Sequence, residues 1–143
     1  TRAELESREE IIYETYAKSI NIEALTMIDM ASKQIIPAVV KYSQKLAKTV
    51  LDVKAAGVEP VVQSELLAKV NSKLTEMKEA LSVLEKEEAA ASAMEDVKAQ
   101  SFRYKDVVIP AMDALRAPAD ELEMMVDKAD WPFPTYGDLM FEV

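Results

Sequence analysis

The chain contains no cysteine and no histidine in 143 residues. Without cysteine there can be no disulfide, thiolate nucleophile or zinc site built on thiolates. Without histidine there is neither a Ser-His-Asp triad nor an imidazole general base. Glycine is almost as scarce, with only two residues, which leaves no place for a glycine-rich loop around a phosphate. No charge-free stretch approaches the roughly 18 residues that a membrane span needs. Thr1 to Glu6 lack the apolar core of a signal peptide. They also lack an initiator methionine, so the chain is expected to begin inside a longer parent, with trimming for expression as the other explanation. Basic residues are in deficit, 17 against 26 acidic, for a net charge of −9. A phosphate backbone or anionic lipid surface would on average be repelled, so neither nucleic acid nor membrane is an expected partner. Lack of cysteine suits a reducing compartment, and a cytoplasmic location is expected.

What remains is half hydrophobic and rich in alanine, leucine, glutamate, lysine and methionine, the strong helix formers. The predicted class is all-α: an antiparallel bundle of about three long, proline-kinked helices over residues 1–130, with an extended aromatic tail over 131–143. In the first helical run, Ile12, Tyr16, Ile20, Met27, Ile35, Tyr42, Leu46 and Val53 recur at helical spacing. Pro37 predicts a kink near Gln34 to Pro37, and Gly57 is placed to end this run. Pro60 suits the first turn of a second helix. There Leu67, Val70, Leu74, Met77, Leu81 and Leu84 alternate steps of three and four, a narrow seam. Such a seam serves a dimeric coiled coil or packing within the chain, and the further helices favour the latter. Lys86 to Ala93 is apolar only through alanine, so a bend is expected there. A third run places Val97, Tyr104, Val108, Ala111 and Leu115 on one face, with a kink predicted at Pro110 and a short last segment opened by Pro118.

The candidate interaction residues are Trp131, Phe133, Tyr136 and Phe141. Prolines at 132 and 134 remove two backbone donors and bias the preceding residues toward extended backbone, so these rings cannot ride on a helix. An extended strip of rings buries itself only by lying along another surface. That surface is either the side of its own bundle or a neighbouring subunit. Residues 118–143 hold seven acids and one base, a strip able to steer toward a basic surface. The carboxylate groups Glu9/Glu10, Glu85/Glu87/Glu88 and Asp120/Glu123/Asp127 are expected to form solvated faces. Glu123 and Asp127 share a helix face and could in principle approach a divalent cation. No histidine accompanies them, and no catalytic, cofactor-binding or metal-binding residue is assigned. Met27, Met30, Met112, Met124 and Met125 are read chiefly as core fillers. Asn21 and Glu23, within an apolar-periodic helix, are read chiefly as solvent-exposed, or else as bonded to a neighbouring helix or subunit.

Several blocks together resemble the C-terminal region of type III glutamine synthetases. They are Asp130-Trp131-Pro132-Phe133-Pro134-Thr135-Tyr136 with Asp138-Leu139-Met140-Phe141, and upstream Val108 to Arg116 and Ala119 to Glu123. Near the start come Glu14-Thr15-Tyr16, Asn21 to Met30 and Ile36-Pro37-Ala38. The stretch from Leu46 to Val97 adds only generic helix composition. The resemblance implies a parent that ligates ammonia to glutamate using ATP and magnesium or manganese, and that assembles as a homo-oligomer. It implies that this region is structural, packing against the catalytic region of the same polypeptide and against neighbouring subunits. None of the matched blocks carries the family's metal or nucleotide motifs, so the region alone is expected to be inactive and to hold no cofactor. The other reading is a free-standing helical interaction module with no enzymatic parent.

Overall fold

A computed structural model describes residues 1–134. The regular elements are α1 (Arg2–Met30), a π turn (Ala31–Ile35), α2 (Ile36–Ala55), α3 (Val61–Ser92), α4 (Val97–Arg103), a second π turn (Tyr104–Val108) and α5 (Ile109–Met125). No strand occurs among the described residues, so the all-α class is observed.

Local chemistry explains where these helices begin and end. Thr1 caps α1 with a capping box: the Glu4 amide donates to the Thr1 hydroxyl while the Glu4 carboxylate reaches back to the cap. Gly57 ends α2 as expected. Its φ of +88° allows Val58 N–H to reach Val53 C=O and Gly57 N–H to reach Lys54 C=O, a Schellman motif. Gly57→Ala is expected to lose about 1–2 kcal/mol, the cost of a Cβ in left-handed backbone. A lower urea midpoint at unchanged slope would register it. Pro60 stands one residue earlier than expected, at the N-cap of α3 rather than inside its first turn. Asp96 caps α4 by accepting from the Ala99 amide at 3.0 Å.

Pro37 and Pro110 each follow a wide turn. Ile36 N–H bonds to Ala31 C=O and Ile109 N–H to Tyr104 C=O, five residues back in both cases. A proline lacks an N–H and crowds the carbonyl four residues earlier, and widening the preceding turn accommodates both effects. Pro118 does not open a separate segment. It lies inside α5, where its burial against the core offsets the missing bond. The break expected between Lys86 and Ala93 comes only at the end of that stretch, at Ala93. Helix α3 continues to Ser92 because alanine favours helix and Ala91 is fully buried, and the turn falls at 93–96.

Helix α3 is the central rod, flanked by α2 and α5, while α1 packs on α4 and α3. The core contains Val39, Val70, Met77, Leu81, Leu84, Tyr104, Val108, Leu115 and Leu122. Of the expected apolar positions, Ile12 does not join it and is 65% exposed. The first dozen residues of the chain are all exposed, although α4 runs beside this end, where the Tyr13 and Phe102 rings lie 6.1 Å apart.

Candidate docking site

After α5 the chain makes a compact turn that aims the aromatic residues back at the core. Val126 is extended and buried. The Asp127 carboxylate accepts from the Ala129 amide at 2.9 Å, and its carbonyl accepts from Asp130 N–H at 2.9 Å and Trp131 N–H at 3.1 Å. Lys45 on α2 then donates to Asp130 Oδ1 at 2.5 Å. The Asp130 side chain is only 12% exposed but that of Lys45 is 56% exposed. The pair therefore ties this turn to α2 at the edge of solvent and carries the small energy of a surface ion pair. Nearby Tyr42 holds its proton above the ordinary tyrosine range, through burial and then the charges of Asp127 and Asp130.

Trp131 and Phe133 are half-buried and pack on the core cluster, whereas Pro132 and Pro134 are exposed. Beneath the two rings lies an open cleft of about 410 Å³, floored by Met27, Ile35, Met77 and Leu115, with Arg116 and Asp120 at its edge. Tyr136 and Phe141 lie outside the described residues. Trp131 emission is expected to be blue-shifted in the folded chain and to move red on unfolding. A water-like maximum in both states would mean that the indole does not pack on the cluster.

The expected carboxylate faces divide on inspection. Glu9, Glu10, Glu85 and Asp120 are exposed or at the surface. Glu121 shares Lys73 with Glu76, at 2.6 and 3.0 Å, an exposed link between α3 and α5 worth about 0–1 kcal/mol. Glu87 accepts from Arg103 at 2.6 Å. Glu88 corrects the expectation of a solvated face, since it is only 6% exposed. Its Oε1 accepts from the Asn21 side-chain amide and, at 3.1 Å, from the Tyr104 hydroxyl. Asn21 also lies 3.1 Å from that hydroxyl. Three rods thus meet at a closed polar cluster, and Asn21 bonds to neighbouring helices while Glu23 is exposed. The missed signal was register: continuing the α3 seam in steps of four and three from Leu84 lands on Glu88 and Ala91. Met112 is buried, Met27, Met30 and Met125 are half-buried, and Met124 is 88% exposed. Among the described residues, no group of three or more acidic side chains is placed to hold a metal ion. None of the described helices is long and apolar enough to cross a membrane.

The sequence profile of the glutamine synthetase C-terminal domain matches residues 1–54. A glutamine synthetase of Butyrivibrio fibrisolvens is 33% identical over 145 residues, covering all of this chain and 21% of the relative. A type-3 glutamine synthetase of Dictyostelium discoideum is 31% identical over 149 residues, covering 96% of this chain and 20% of the relative. A glutamine synthetase of Bacteroides fragilis is 27% identical over 144 residues, with similar coverage. The chain therefore spans about a fifth of the length of the curated relatives it matches. With its profile match at one end and relatives aligned along nearly its whole length, the chain is similar to the C-terminal part of glutamine synthetases.

Proposed function

We propose that this domain is a structural part of a glutamine synthetase, packing against the catalytic region of the same polypeptide and against neighbouring subunits. The parent would ligate ammonia to glutamate with ATP and magnesium or manganese, in the cytoplasm and as a homo-oligomer. The observation that carries the reading is the alignment: nearly all of this chain corresponds to about a fifth of each relative. Phosphoryl transfer needs charged groups placed around metal and phosphates beforehand, and no described residue is assigned to that task. The antiparallel rods act as a stiff spacer in this reading. Residues 131–143 act as the docking element, with Trp131, Phe133, Tyr136 and Phe141 as its anchors.

Residues 1–143 alone should form no glutamine from ATP, glutamate and ammonia. Measurable turnover by the isolated domain would overturn the assignment. In the full-length parent, Trp131→Ala combined with Phe133→Ala should weaken assembly in sedimentation velocity or destabilise the domain. Unchanged assembly and unchanged melting would remove the docking role.

A further inference from the structure

Helix α1 has two apolar faces, and only one is covered. Ala17, Ile20 and Ala24 lie buried against the neighbouring rods. Ile11, Ile22 and Leu25 are 58%, 64% and 48% exposed. At 3.6 residues per turn, or about 100° per residue, these three fall on one stripe roughly opposite the buried side. This is why α1 is hardly amphipathic despite its length. Thr15 and Thr26 border the same stripe. Their hydroxyls donate to the carbonyls of Ile11 and Ile22, both at 2.8 Å. With the polar atoms tied back to the helix, the threonine γ-methyls extend the apolar strip.

The charges at its ends indicate what covers it. Two copies of α1 laid antiparallel about an axis at Lys18–Ser19 would set Ile11 against the second copy's Thr26, one residue from its Leu25. Thr15 would meet the second copy's Ile22. The same register places Arg8 opposite the second copy's Asp29, and Glu4 opposite its Lys33. Arg8 forms no ion pair among the described residues, whereas Asp29 and Lys33 are exposed and pair only with each other. One register therefore joins apolar to apolar and opposite charge to opposite charge at both ends. A parallel arrangement would set Arg8 on Arg8 and Asp29 on Asp29. Lys18, beside the axis, is the one like-charge approach, and its four-carbon stem allows the ammonium to swing out to water.

We propose that the outward stripe of α1 is a self-association surface, pairing antiparallel with the same stripe of a second copy of this chain. Three aliphatic side chains a side place it among small interfaces. Self-association of the separate chain is therefore expected to be weak and to grow with concentration, and neighbours held together in an assembled parent would strengthen it. The pairing deepens the assembly reading above, yet its test uses this chain alone, so it can fail while that reading stands.

Because the chain has no cysteine, cross-linking needs no background removal. Ile11→Cys and Leu25→Cys variants of the full chain, mixed under mild oxidation, should give the mixed disulfide in clear excess over either self-linked product. Sedimentation equilibrium should show Ile22→Asp weakening dimerisation by about tenfold or more, a desolvated charge facing apolar side chains. Arg8→Asp should weaken it too, and adding Asp29→Arg should restore it by exchanging the two ends of each ion pair. Self-linked products equalling the mixed one would refute the antiparallel register. A monomer at all concentrations, with the thiol of the Leu25→Cys variant fully open to alkylation, would refute self-association. So would monomer behaviour together with protection of that thiol in the longer parent, which would show that another part of that polypeptide covers the stripe.

Discussion

Leu81→Ala is expected to destabilise the domain by about 2–5 kcal/mol, the range for a leucine removed from a packed core. Leu81 is fully buried in the middle of α3, the rod that α2 and α5 flank. Removing its isobutyl group loses transfer energy and leaves a cavity that long, regular helices cannot easily close. Native domains are stable by only about 5–15 kcal/mol, so this one substitution could remove a third of the margin. Urea unfolding followed by circular dichroism would show it as a lower midpoint with an unchanged slope. A shift equivalent to less than about 0.5 kcal/mol would mean that the seam does not bear the packing assigned to it.

Tyr104→Phe is the second large effect, about 1–3 kcal/mol, because it leaves a buried carboxylate with one donor fewer. The ring itself is kept, so the loss is polar rather than a cavity. Replacing Asn21, Glu88 and Tyr104 together by apolar residues of similar size should recover much of the loss, since no orphaned group would remain. The Tyr104 hydroxyl has a further signature in pH. Burial raises its pKa; the Asn21 hydrogen bond pulls the other way, and the Glu88 charge and hydrogen bond raise it again. In the unfolded chain tyrosine ionises near 10. The folded chain keeps this proton to higher pH, so the stability it contributes is complete below about 10 and is lost as pH rises through the folded value. Wild type should therefore lose stability on the alkaline side more steeply than Tyr104→Phe. Parallel alkaline slopes for the two proteins would show that this hydroxyl does not titrate as described.

Much of the core was legible because helical spacing is a local property. Val70, Met77, Leu81 and Leu84 stand where the alternating steps of three and four place them, and Tyr104, Val108, Ala111 and Leu115 follow suit. Gly57 was legible for a different reason: left-handed backbone at a helix end favours the one residue without a Cβ. What escaped depends on neighbours that spacing does not reveal. Ile12 has the same periodic credentials as Ile20, but it lies at the rim beside Phe102 and stays exposed. Glu88 was set aside for its charge although its register was that of a core residue. Its donors sit 67 and 16 residues away in the chain. In the candidate site, the clustering of rings at Trp131 and Phe133 was readable, while their tether was not. Lys45 and Asp130 are separated by 85 residues, and nothing in either neighbourhood marks the other.

The wide turn before Pro37 bears on which changes this domain can accept over time. Met27, Ala31, Ile35 and Val39 follow one another in steps of four, and in an ordinary helix such a run drifts around the axis because a turn holds about 3.6 residues. The π turn at Ala31–Ile35 takes up the surplus, acting as a phase shifter that keeps Val39 and Leu46 facing the same way as Ala24. Substitution at exposed Lys33 or Gln34 leaves that phase intact. Deleting either would let the wide turn close to an ordinary α turn with α2 keeping its face. One further inserted residue would instead rotate α2 by about 100° against α1 and swing its buried side into water, so this part of the chain accepts shortening by one residue more readily than lengthening.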